Sequence, residues 1–295
     1  MERREFLRTA ALSALAAASL SPLASAQRQP LGQPLGQRLQ ARRQARRAPE
    51  QKIPIAVQLY SVRNLANNDL AGTLEAIAKM GYDGVEFAGY YGKDVKDIRK
   101  MLDDIGLKCA GTHTGLDQFR NNFDGTVEIH KTLGTPFMIV PGGLNRYYEN
   151  VDTIKGIADE FNKFAERAKA QDVSIGYHAH GYDAAKVDGV EAWERFFGAT
   201  MPEVVAQMDV GNYLGGGGDP YRQIEIFPGR SKTIHIKEHG RENPIVGSGE
   251  VNWNRVFELS ETVGGVEWYV VEDEVTPDSL ERIEKCIVAL REMGK

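Results

Sequence analysis

From Ile53 onward the chain alternates between two hydrophobic rhythms. Short runs rich in apolar and β-branched residues fall at 53–60, 82–88, 107–113, 135–141, 173–180, 203–210, 232–238 and 267–274, and they predict strands. Each is followed by a stretch with apolar residues at helical spacing, such as "DLAGTLEAIAKMG" after the first and "NVDTIKGIADEFNKFAERAKAQ" after the fourth. Asp69, Asp219 before Pro220, and Thr276 before Pro277 are predicted helix caps. Gly81, Gly106 and Gly134 are predicted stops. Eight strand–helix units predict a single closed (β/α)8 TIM barrel over 51–295. No "GxGxxG" follows the first strand, where a dinucleotide site would place it.

The first fifty residues follow neither rhythm. Residues 1–26 carry Arg3-Arg4, an Ala/Leu run and Ala24-Ser25-Ala26, the pattern of a twin-arginine signal peptide with cleavage before Gln27. The apolar run is shorter than the roughly 20 residues that cross a bilayer, so no stable membrane anchor is expected. Residues 27–50 repeat Pro-Leu-Gly-Gln and hold four arginines between Arg42 and Arg47, a composition that predicts a disordered basic linker. The expected partner in export is the twin-arginine translocase, and the expected location is periplasmic or extracellular.

Charge sharpens this division. Residues 1–50 hold nine arginines and three glutamates, of 36 basic and 41 acidic side chains in all, which leaves 27 against 38, about −11, on the body. Such a body repels phosphate backbones, so nucleic acid is not an expected partner. The two cysteines, Cys109 and Cys286, are far apart in sequence and read as buried thiols, although an oxidising compartment would permit a bridge.

Chemistry in this fold sits at the carboxyl ends of the strands. Reading each strand to its end gives Glu86, His113, His178 with His180, Asp209, His235 with Lys237, and Glu272. Counting His239 just beyond the seventh strand, five of the six histidines gather there, and His130 is left in a helix as an expected surface residue. Strand alternation puts Gln207 with Asp209, Thr233 with His235 and Lys237, and Trp268 with Val270 and Glu272 on shared faces. A His, an Asp, a His and a Glu from four successive strands form a mixed nitrogen and oxygen cage. It suits one divalent ion such as manganese, zinc, cobalt or iron better than magnesium.

At these residues the chain resembles the xylose isomerase-like barrel family of sugar-phosphate isomerases and epimerases, inosose dehydratase and endonuclease IV. The resemblance covers 53–290 and rests on "VQLYSVR", "GYDGVEF", "QMDVGN", "HIKEH", "VVEDE" and "VGSGEVNW". It implies one divalent metal held by residues of strands five to eight, the last three being Asp209, His235 and Glu272. Family members often read Glu-x-His on strand five, where this chain reads His178-Ala179-His180. By position, His178 stands where the fourth ligand is expected and His180 where a substrate-contacting catalytic histidine is expected, with His180 as the alternative ligand.

The expected substrate is a small carbohydrate. A metal bridging a carbonyl and its neighbouring hydroxyl polarises the C–H between them, and a base, Glu272, removes the proton to give an enediolate. Lys237, His113 and Glu86 are candidate acids or substrate hydrogen-bond donors. Trp253, with Tyr60 and Trp268, is a candidate stacking surface. The expected activity is sugar isomerisation or epimerisation. The alternatives are a lyase or hydratase on a keto sugar, in which one base and one acid suffice, and a non-catalytic sugar-binding barrel. Phosphorylated sugars are scarce outside the inner membrane, which favours free or oxidised sugars and glycosides. An endonuclease fits poorly, because its three-metal site needs further histidines.

Overall fold

The computed structural model describes residues 52–295. The predicted twin-arginine signal at 1–26 and the predicted linker at 27–50 lie outside the described residues.

Eight parallel strands close into a barrel: β1 Ile55–Gln58, β2 Gly84–Phe87, β3 Lys108–His113, β4 Phe137–Val140, β5 Ser174–His178, β6 Val205–Asp209, β7 Thr233–Ile236 and β8 Trp268–Val271. Each pairs with its sequence neighbours, and β8 returns to β1 through Ile55–Tyr269 and Val57–Val271. The hydrogen-bonded strands are shorter than the predicted runs. The ends of those runs leave the ladder to form the loops of the barrel mouth, so Lys237 and Glu272 stand just beyond β7 and β8.

The main outer helices are α1 Leu70–Lys79, α2 Val95–Ile105, α3 Leu116–Leu133, α4 Val151–Lys169, α5 Ala192–Ala199, α6 Pro220–Ile226, α7 Trp253–Leu259 and α8 Leu280–Glu292. Their starts follow local chemistry. The Asp69 carboxylate accepts from Gly72 N, and Asp219 accepts from Arg222 N with Pro220 in the first turn. The expected cap at Thr276 is corrected to Ser279, whose side chain accepts from Arg282 N. Residues 276–278 instead turn toward the opposite side of the barrel seam, where Asp278 accepts from the backbone N of Asn64 and Leu65 and from Asn64 Nδ2.

Alternation divides each strand between two cores. Outward side chains such as Ile55, Val57, Val85, Ile175 and Ile234 pack under the helices in one continuous cluster. Inward, Trp268 packs against Ala56, Ala110 and Val270 on one side and Phe137, Ile139 and Val205 on the other, filling the lower barrel. His130 corrects the expectation of a surface residue: it is fully buried on the face of α3 that meets β3. Cys109 and Cys286 are free, buried thiols.

Candidate metal centre

The sites of polarity inside the barrel lie above Trp268, in two layers. The lower layer is Gln58, Glu86, Gln207 and Thr233, all fully buried. The β2–β3 register shifts between Val85 and Glu86, so that Glu86 stands opposite Gly111. A side chain at Gly111 would place its Cβ 2.9 Å from Glu86 Oε1, so only glycine leaves the carboxylate its space.

Glu86 Oε1 accepts from Gln207 Nε2 at 2.8 Å, and Oε2 accepts from Gln58 Nε2 at 2.7 Å and from His235 Nε2 at 2.7 Å. His113 Nε2 lies 3.2 Å from the same Oε2. Burial raises the Glu86 pKa, but His113 and His235 outweigh it and hold the carboxyl well below its usual range. Glu86 is therefore corrected from a substrate-binding residue to an ionised group beneath the site, with both oxygens engaged by protein donors.

The upper layer is the predicted cage. One ligand atom from each of His178, Asp209, His235 and Glu272 lies within 4.8 Å of all the others. His178 Nε2 is 3.9 Å from Asp209 Oδ2 and 4.0 Å from Glu272 Oε2. His235 Nδ1 is 3.9 Å from Asp209 Oδ2 and 2.6 Å from Glu272 Oε2. The strands explain this convergence: Asp209 and His235 are register partners on β6 and β7, and Gln207 pairs with His178 across β6 and β5.

Asp209 supplies the test of whether a cation fits. It ends β6 and caps the next helical turn, its Oδ1 accepting from Asn212 N at 2.7 Å. Its Oδ2 is buried among the other three side chains and has no hydrogen-bond partner. A buried carboxylate oxygen without a donor is costly, and burial pushes this carboxyl up to about 7 against the opposing charge of Lys237. A divalent ion among two imidazoles and two carboxylates would satisfy that oxygen, and the donor set suits a borderline transition metal.

At the rim, the chain leaves β5 after His178, so His180 does not join the cage although both histidines share a face by alternation. His180 Nδ1 lies 3.4 Å from His178 O, and its ring stacks on Tyr182 at 5.0 Å. Its backbone N donates to Asp183 Oδ2 at 2.6 Å, and Asp183 Oδ1 also accepts from Tyr177 and Tyr148 hydroxyls. Lys237 Nζ lies 3.7 Å from Glu272 Oε1 and bonds Glu274. Burial disfavours the Lys237 charge, but Asp209, Glu272 and Glu274 outweigh it and keep the ammonium protonated. His113 stacks on His235 at 5.4 Å and is part-buried over the lower layer.

Trp253 is corrected as a stacking surface. Its indole N–H donates to Glu238 Oε2 at 2.8 Å, and its ring packs on Phe257 at 5.9 Å behind the glycine-rich loop. Tyr60 is 43% exposed, with the Arg63 guanidinium over its ring. Trp268 belongs to the barrel floor. Gln58 and Asp183 carried no signal in the sequence that separates them from ordinary polar residues. Strand alternation puts Gln207 on the inward face but assigns it no role.

Comparisons with known proteins point to one family. A family model described as "Xylose isomerase-like TIM barrel" matches residues 74–293. A 3-dehydroshikimate dehydratase of Pseudomonas aeruginosa is 27% identical over 69% of this chain, which spans 34% of that protein's length. An inosose dehydratase of Mesomycoplasma hyopneumoniae is 22% identical over 75% of this chain and 87% of its own. The crystal structure of a sugar phosphate isomerase/epimerase from Parabacteroides distasonis superposes with a TM-score of 0.70 at 26% identity, covering 83% of this chain and 96% of that one.

Proposed function

The chain belongs to the xylose isomerase-like TIM barrel family, and from that premise we propose that it is a divalent-metal-dependent sugar isomerase or epimerase. It takes a proton from the carbon next to the carbonyl of a sugar or keto sugar and works through an enediolate. The observation that carries the proposal is the His178, Asp209, His235 and Glu272 cage with its unpartnered Asp209 Oδ2. These four residues would hold the ion, which would supply Lewis-acid polarisation of the substrate carbonyl.

The protein's own groups divide the remaining work. Glu272, expected as the base, would be committed to the ion as one of its four ligands, with Lys237 Nζ 3.7 Å from its Oε1. It is a poor proton acceptor in that setting. His180 is the better base. Burial lowers its pKa, so the ring is neutral near pH 7, and an Nδ1–H directed at His178 O leaves the Nε2 lone pair available. Lys237 supplies a fixed positive charge for the oxyanion as it develops.

A lyase or hydratase is the second reading, favoured by a specific asymmetry. His180 and Lys237 form one base and one cationic donor, whereas epimerisation from two faces calls for two matched bases. Both curated relatives above carry dehydratase names. The exported location and a free or oxidised sugar substrate remain part of the proposal.

Incubation of the manganese- or zinc-loaded protein with keto- and aldo-sugars in D2O, followed by NMR, separates these readings. Deuterium entering next to the carbonyl without change of hydration supports the isomerase, and loss or gain of water supports the lyase. His180→Gln is expected to keep its metal and lose exchange by about 100-fold or more. No exchange with any sugar, in a protein that binds them, points to a non-catalytic barrel and removes the proposal.

A further inference from the structure

We infer that Glu86 and Gln207 are positioning residues that decide which nitrogen of each histidine faces the metal cage. The inference rests on the reading of His178 and His235 as ligands. It follows from counting donors and acceptors in the buried lower layer, where no water-exposed group can exchange roles.

The chain of constraints begins at the backbone. Tyr60 N donates to Gln58 Oε1 at 3.1 Å, so the other end of that amide, Nε2, is the donor toward Glu86. Glu86 is an acceptor at both oxygens. It thereby turns Gln207 so that Nε2 donates to Glu86 Oε1 and to Thr233 Oγ1, each at 2.8 Å. Gln207 Oε1 is left facing upward as an acceptor, with His178 Nδ1 at 3.1 Å and His113 Nε2 at 2.9 Å. His178 must carry its proton on Nδ1, which leaves Nε2, the atom in the cage, with its lone pair. His235 meets Glu86 directly through Nε2, so its cage atom is the opposite nitrogen, Nδ1.

Two adjacent ligands thus use opposite ring nitrogens, and one buried carboxylate dictates both. It acts on His235 by direct contact and on His178 through a single amide. Partners of this kind fix ring orientation, and their loss typically costs about 10- to 100-fold in metal affinity. Glutamine at position 86 would break the scheme. One of its two ends must be an NH2 group, and the surroundings of both oxygens are donors already.

The test is nitrogen-15 NMR of histidine-labelled protein, full chain, read beside calorimetry with Zn²⁺. In the metal-free wild type, His178 is expected to be protonated at Nδ1 and His113 at Nε2. Gln207→Met should scramble both while His235 Nε2 keeps its proton. Glu86→Gln, whose amide oxygen takes the position to which Gln58 and His235 donate, should turn Gln207 over, move the His178 proton to Nε2 and weaken Zn²⁺ binding at least tenfold. Glu86→Asp, which keeps an acceptor-only group, should restore the wild-type ring pattern, and far-ultraviolet circular dichroism identifies folded variants. Unchanged rings at His178 and His113 in Gln207→Met, or Zn²⁺ affinity within twofold of wild type in folded Glu86→Gln, would overturn the inference. A wild type with the expected rings and no metal binding would instead sink the metal reading and leave the ring assignment standing.

Discussion

His130 lies on α3 with both ring nitrogens engaged. Nδ1–H donates to Thr126 O at 2.7 Å, and Nε2 accepts from the Thr112 hydroxyl on β3. Burial holds its pKa down at about 4, the Thr126 bond only partly offsetting it. A depressed histidine pKa stabilises the fold above the unfolded value of about 6.5, and that stability is lost as pH falls toward the folded value. Between pH 7.5 and 5.0 this one ring should cost the wild type about 2 kcal/mol. His130→Gln is less stable than wild type at pH 7.5, and the gap should narrow by that amount at pH 5.0. Denaturant titrations of the pair at both pH values give the answer; parallel losses would mean the ring is protonated in the native state. The residue also shows what alternation misses. Helical spacing places His130 on α3, but its burial depends on a threonine hydroxyl eighteen residues earlier that can meet its second nitrogen.

Elements show the same division. The strand rhythm made the barrel and the inward set of Asp209, His235 and Glu272 legible, because period-two alternation and the strand-end rule need only local sequence. Depth inside the barrel was not legible. Glu86 and His235 are both inward residues at strand ends, yet the register shift after Val85 sets Glu86 beneath His235. The direction of Trp253, at the start of α7, was hidden for another reason. Glu238, just past β7, accepts from the backbone N of His239, Gly247 and Val251 and from Trp253 Nε1. One carboxylate therefore folds the glycine-rich loop and turns Trp253 away from the mouth, which no periodicity can report. Glu238→Gln should lose two of these acceptor contacts. Amide exchange at 245–253 is then expected to quicken about tenfold, one such step being about 1.4 kcal/mol, with the barrel strands unchanged. Equal exchange in both proteins would assign the loop's order to its own turns.

Residues 51–295 carry about −11 of charge, so divalent ions will gather on the surface of this body whether or not the cage binds one. A gain in thermal stability with added metal is therefore informative only if it is specific. Binding at 100 times the dissociation constant stabilises by about 2.7 kcal/mol. For a body of this size that is about 5–10 °C in Tm, at about 2–4 °C per kcal/mol. Surface condensation has no such saturating form and is weakened by salt. The chelator-stripped protein should thus show a saturating rise of this order with Zn²⁺ or Mn²⁺ that survives 0.3 M salt, and little with Mg²⁺. Asp209→Ala and His235→Ala should show none, since each removes one side of the cage while leaving the surface charge almost unaltered. Asp209→Ala also relieves a buried oxygen that lacks a donor, so its metal-free form need not be the less stable one. That reversal follows from Asp209 being costly without the ion: the carboxylate oxygen that makes the site attractive to a cation is the group that burdens the metal-free fold. If stripped wild type and Asp209→Ala melt alike and respond alike to metal, the four side chains converge for packing alone.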